Sequence, residues 1–258
     1  MSLRIAFDLD GVLADMETEL LRQGEIVFGK PMTNKLQARA QQVEAHAQTA
    51  EPSSAESNDT NMSGTASDTI PGTLPPLVRM NMTPRQERRL WRHVASIENF
   101  WESLNEIESG AIARLAEIAA ARKWECIFLT KRPQTSGATA QVQTQRWLES
   151  KGFSLPSVYV VQGSRGRIAN ALDLDIVVDD RPENCLDVVV DSKAKAILVW
   201  REDQESLPAA ARRLGVGVVH SVGECLDVLV DIQSELSSGE TVLSRLKHLL
   251  GFKPSADA

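Results

Sequence analysis

Three aspartates fall within eight positions behind a short apolar run in "IAFDLDGVLAD", residues 5 to 15. Asp is disfavoured in strands, and crowded carboxylates repel one another. A lone Asp at a strand end serves as a turn residue or a helix N-cap, and Asp15 fits that description. Asp8 and Asp10 do not, because residues two apart project to the same side of an extended backbone. Two carboxylates aimed the same way, with Gly11 permitting a sharp exit, suit a hard cation.

The elements that must position them follow a βα rhythm from residue 107 onward. "GAIARLAEIAAA" sets Ile112, Leu115, Ile118 and Ala119 on one helical face. "WECIFLT" reads as a buried strand ending at Thr130, and "TAQVQTQRWLESKG" as a helix with Val142, Trp147 and Leu148 for burial. "SVYVV", "DIVVDD", "AKAILVW" and "GVGVV" are further strands, with "GRIANAL" a short helix between the first two. Apolar, β-branched strands alternating with helices predict an α/β, three-layer, doubly wound parallel sheet, and "IAFDL" adds one strand.

The segment between the first strand and residue 107 breaks the rhythm and reads as an inserted helical cap over 15–106. Residues 15 to about 44 are helical in pattern. Residues 45–76, rich in Ser, Thr, Ala, Asn and Pro, cannot repay the entropy of ordering and are expected to be a disordered insertion. "TPRQERRLWRHVASIENFWESL" resumes as helix from Thr83 or Pro84. The core is then residues 1–14 and 107–235, and 238–258 a C-terminal packing helix with a frayed tail.

The chain has 258 residues, 42% hydrophobic and 24% charged, with a net charge of −7. An acidic balance argues against binding polymeric nucleic acid, whose phosphates require a basic surface. No apolar stretch approaches membrane-spanning length, no leader is visible, and the three cysteines lack CxxC pairing, so a reduced, cytoplasmic protein is expected. The four histidines have no ligand spacing, and no zinc is expected.

In an open α/β sheet, ligands bind outside the carboxyl ends of the strands. Here those ends carry Asp8 and Asp10, Thr130, and Asp179 and Asp180, with Arg165 in the loop after "SVYVV". "FDLDGVLAD", "FLTKRP" and "VVDDRPEN", in this order with an insertion after the first, resemble the haloacid dehalogenase (HAD) superfamily of aspartate-nucleophile phosphatases. "ENFWESL", "FLTKRP" and "DDRPEN" are similar to its 5′-nucleotidase, deoxyribonucleotidase-like branch.

The resemblance implies a Mg²⁺-dependent phosphomonoester hydrolase acting on a small phosphorylated metabolite, with nucleoside monophosphates as a substrate class. It implies Asp8 as nucleophile and Asp10 as the acid that protonates the leaving alkoxide and then activates water. It implies Asp8 and Asp179 side chains and the Asp10 carbonyl as metal ligands, with Asp180 in support. Thr130 would donate to a phosphoryl oxygen. Arg165 stands where the superfamily usually has a Lys, with Arg167 close by. Lys131 and Arg132 either approach the substrate or are solvated charges. Trp91, Phe100 and Trp101 read as core before base-stacking residues. A phosphomutase of the same superfamily and a noncatalytic binding module remain as alternatives. A haloalkanoate dehalogenase does not need the acid that Asp10 supplies.

Overall fold

Five β-branched or apolar runs and the N-terminal "RIAFD" pair into one sheet. A computed structural model of the chain describes residues 2–30, 82–203 and 206–236. The strands are β1 (Arg4–Asp8), β2 (Glu125–Thr130), β3 (Ser157–Val160), β4 (Ile176–Asp179), β5 (Lys195–Val199) and β6 (Gly217–Val219). They lie in the order β3-β2-β1-β4-β5-β6, and every pairing is parallel. The helices are α1 (Met16–Phe28), α2 (Pro84–Ser96), α3 (Ala111–Arg122), α4 (Ala140–Ser150), α5 (Arg165–Ala171), α6 (Pro182–Asp191), α7 (Ala209–Arg213) and α8 (Val222–Leu236). The α/β doubly wound reading is thus the fold observed.

Strand β1 is central, and the chain leaves it on one side toward β2 and returns on the other as β4. That reversal is the topological switch point, where such sheets open a crevice at their carboxyl ends. Register decides who meets there. Asp8 pairs with Leu129 and Phe7 with Val178, which sets Asp8 beside Asp179 and one residue short of Thr130.

The sheet is buried on both faces. Ala6, Leu129, Val177 and Leu198 pack with Cys185 and Val188 of α6 in one apolar cluster. Phe128 stacks edge-on against Phe153, with ring centroids 4.9 Å apart. Gly166 lets α5 lie directly against α6, because a Cβ there would stand 2.1 Å from the Asp187 carbonyl oxygen. Helix α6 starts on Pro182, whose missing N–H costs nothing at a first helical position.

The chain divides into two compact units, one of residues 1–16 and 97–258 and one of 17–96. Residues 97–106, expected in the inserted cap, therefore pack with the core. The helix expected to run through them stops at Ser96, Asn99 turns left-handed at φ 51°, and Phe100–Ser103 forms a single 3₁₀ turn. Phe100 and Trp101 are fully buried, so the core reading of these two aromatics holds.

In the second unit, α1 ends at Phe28, where Gly29 adopts φ 78° and closes the helix. Helix α2 opens on a reciprocal cap: the Gln86 N–H donates to Thr83 Oγ1 at 3.3 Å, and the Thr83 N–H to Gln86 Oε1 at 2.9 Å. Buried Gln23 and half-buried His93 hydrogen-bond at 2.8 Å. The expected disordered insertion at 45–76 and the C-terminal helix at 238–258 lie outside the described residues.

Candidate active site

The rim is built by three strand ends and one helix start. Beyond Asp8, the chain makes a tight turn in which Leu13 and Ala14 N–H both donate to the Leu9 carbonyl at 2.8 Å. Gly11 enters it at φ 96°, a conformation that side chains with a Cβ resist. Arg201, just past β5, clasps the turn from outside, donating to the Gly11 carbonyl at 2.6 Å and the Val12 carbonyl at 3.2 Å. Asp180 lies against Gly11 so closely that a Cβ there would stand 2.0 Å from its Oδ2.

Arg165 opens α5, is 2% exposed, and makes an ion pair through Nη2 with Asp8 Oδ1. Its Nε stands 3.5 Å from Asp179 Oδ2, and both Nε and Nη1 are buried without a hydrogen-bond partner. Arg167 is exposed, so of the two it is Arg165 that pairs with Asp8. Spacing does not separate the two, because both fall in the first turn of the same short helix. Asp179 is fully buried and accepts from the Arg181 N–H and the Asn184 side-chain amide, each at 2.9 Å. Asn184 was not singled out in the sequence; its place in the first turn of α6, five residues past a strand-end acid, is the signal that finds it.

Asp10 faces a different neighbour. Thr130 Oγ1 donates to Asp10 Oδ2 at 3.0 Å, and Arg132 grips the same carboxylate through Nε and Nη2. A threonine hydroxyl has one proton, so the phosphoryl contact expected of Thr130 is not available while this bond stands. Arg132 is 2% exposed, so a solvated charge does not describe it. Lys131 is half-buried, and no bond joins it to the cluster among the described residues.

The electrostatics are those of an excess of negative charge. Burial, then the charge of Asp179, pushes the Asp8 carboxyl well above the usual range, against the pull of Arg165. Burial raises Asp179 as well, opposed by Arg165 and the Asn184 amide. Asp180 is pushed up to about 7, by burial first and Asp179 second, and its Oδ1 is buried without a hydrogen-bond partner. The four carboxylates of Asp8, Asp10, Asp179 and Asp180 outnumber the guanidiniums of Arg132, Arg165 and Arg181 that act on them, and a bound cation would offset the excess. Among the described residues no three His, Cys, Asp or Glu side chains form a ready cage for a metal. A hard cation such as Mg²⁺ needs none, since it keeps several waters and takes one or two carboxylates.

The three cysteines are buried. Burial, with Asp179 next, raises the Cys185 thiol well above its ordinary range, so it is no nucleophile for this rim. No described helix is long and apolar enough to cross a membrane.

Among solved structures, the chain is similar to a candidate β-phosphoglucomutase from Thermotoga maritima (17% identity, TM-score 0.49, 89% of this chain and 99% of that chain). It is similar to a HAD family hydrolase from Deinococcus radiodurans with bound phosphate and sodium (16%, 0.47, 89% and 96%). A protein like phosphonoacetaldehyde hydrolase from Oleispira antarctica also aligns (13%, 0.45, 93% and 95%). No family model matches the chain, and no curated protein matches it.

Proposed function

We propose that the protein is a Mg²⁺-dependent phosphomonoester hydrolase of the HAD type, acting through an aspartyl phosphate on Asp8, with nucleoside monophosphates as its substrate class. One observation carries the reading. A carboxylate at the end of the central strand is ion-paired to a buried arginine that keeps two N–H groups unmatched, beside a second carboxylate held in its own hydrogen bonds.

In the first step an Asp8 oxygen bonds to phosphorus as the ester P–O bond breaks, and Asp10 in its protonated form gives its proton to the departing oxygen. In the second, Asp10 as carboxylate takes a proton from water, whose oxygen bonds to phosphorus and releases Asp8. Arg165 directs its unmatched N–H groups to phosphoryl oxygens and keeps its place on Asp8, a task its planar fork suits better than an ammonium would. Asp8, Asp179 and the Asp10 carbonyl would hold the metal, with Asp180 supporting. The bound metal supplies charge that lets an anionic nucleophile meet an anionic ester. The nucleotide class rests on the resemblance of "ENFWESL", "FLTKRP" and "DDRPEN" to the nucleotidase branch.

The test is turnover of a panel of phosphate monoesters, nucleoside and sugar phosphates included, with and without Mg²⁺. Asp8→Asn is expected to abolish turnover in a folded protein, and acid-quenched wild type to carry phosphate on Asp8 by peptide mass spectrometry. Activity of Asp8→Asn within a few-fold of wild type would refute the assignment.

A further inference from the structure

Arg132 has no part in the steps above, yet its guanidinium is held on several sides. Its guanidinium meets Asp10 edge-on: Nε donates to both carboxylate oxygens at 3.0 Å, and Nη2 donates to Oδ1 at 2.8 Å. Nη1 donates to Thr144 Oγ1 at 2.9 Å, and that hydroxyl donates to the Ala140 carbonyl at 2.7 Å. The guanidinium carbon lies 5.0 Å from the Trp101 ring centroid and 5.5 Å from that of Trp147. Both indoles are themselves fixed, Trp101 Nε1 donating to the Pro133 carbonyl at 3.0 Å and Trp147 Nε1 to the Leu104 carbonyl at 2.7 Å.

A buried ion pair is a poor source of stability, because desolvating two charges offsets most of their attraction. Orientation is what this one offers. The terminal torsion of an aspartate is broad, and a free carboxylate samples many directions. A planar fork on two oxygens, locked by two rings and a hydroxyl, leaves it one. We propose that Arg132 is a positioning residue that holds the Asp10 carboxyl group in the direction from which it exchanges a proton with the departing oxygen. The proposal rests on the phosphohydrolase reading, and it makes Trp101, Thr144 and Trp147 the frame of that alignment.

The experiment compares an alkyl phosphate, whose leaving oxygen needs a proton, with p-nitrophenyl phosphate, whose leaving group does not. Wild type is measured on both with Mg²⁺, then Arg132→Met, Asp10→Asn and the double variant, each checked for folding by circular dichroism. A misdirected proton donor costs about 10²-fold in rate. Arg132→Met is therefore expected to lose about that factor in kcat on the alkyl ester and only a few-fold on p-nitrophenyl phosphate. In the Asp10→Asn background it should lose nothing more on either, because a residue acting through Asp10 has nothing left to act on. Arg132→Lys, which keeps the charge but not the fork, should recover only part of the alkyl rate.

Removing Arg132 strips the Asp10 carboxylate of its ion-pair partner. Thr144→Val provides a gentler variant that frees Nη1 alone and moves the ratio of the two rates in the same direction. Equal losses on both esters, or a loss that adds in full to that of Asp10→Asn, overturn the proposal while leaving the phosphohydrolase reading standing. A wild type that hydrolyses neither ester overturns that reading, and this proposal with it.

Discussion

Replacing Gly11 by Ala tests the turn that aims the two carboxylates. At φ 96° a residue with a Cβ is strained, typically by ~1–3 kcal/mol. The new methyl would also stand 2.0 Å from Asp180 Oδ2 and 2.6 Å from its Cγ, well inside contact distance. Backbone relief is restricted, because Arg201 holds the Gly11 and Val12 carbonyls. Asp180 must move, and its displacement adds to the strain, for a total of ~2–4 kcal/mol. At ~2–4 °C per kcal/mol for a domain of this size, the melting temperature should fall by roughly 5–15 °C. Thermal denaturation of Gly11→Ala, Asp180→Ala and the double variant separates the two contributions. With Asp180 truncated the collision is gone, and the alanine should cost only its backbone strain, so the two substitutions couple by ~1 kcal/mol or more. A Gly11→Ala protein that melts within about a degree of wild type would refute the reasoning, as would the same penalty in both backgrounds. Calorimetric Mg²⁺ titration of the single variant should show weakened binding, since the moved carboxylate belongs to the acidic cluster.

Two further outcomes are expected. Asp8, Asp179 and Asp180 all have carboxyl groups raised above their unfolded values, so the folded metal-free protein binds more protons than the unfolded chain between about pH 4 and about pH 7. Its stability should be full below that window and fall as pH rises through it, with Mg²⁺ restoring more at pH 7.5 than at pH 5.5; melting curves that rise with pH across this range without metal would contradict the assignment. Cys126, Cys185 and Cys225 are buried with thiols raised by desolvation, Cys126 to about 12, so an aromatic disulfide reagent should label them only after denaturant is added.

The parallel sheet was legible because its cause is local. Runs such as "IAFDL", "CIFLT" and "DIVVD" are apolar on both faces and too short for helices, and a strand buried on both sides needs little more. The acids at the strand ends were legible for the same reason, since a polar residue closing an apolar run is visible in one dimension. The return from the inserted segment comes ten residues earlier than expected: "IENFWESL" has helical spacing, but Trp101 is claimed by Gln143 through its backbone N–H and by Arg132 through its ring.

What no spacing could reveal is pairing across the sheet. Arg165 and Arg167 look alike on paper, yet the first residue of α5 is buried on Asp8, 157 positions away, and the third is exposed. Lys131 and Arg132 are adjacent in "TKRP", but the chain just past a strand turns successive side chains to different sides. Arg132 alone enters the core, where its fork closes on Asp10 at a separation of 122 residues. A buried charge takes whichever partner the fold brings within about 3 Å, and that choice belongs to the packing of α4, the 3₁₀ turn and β1 together.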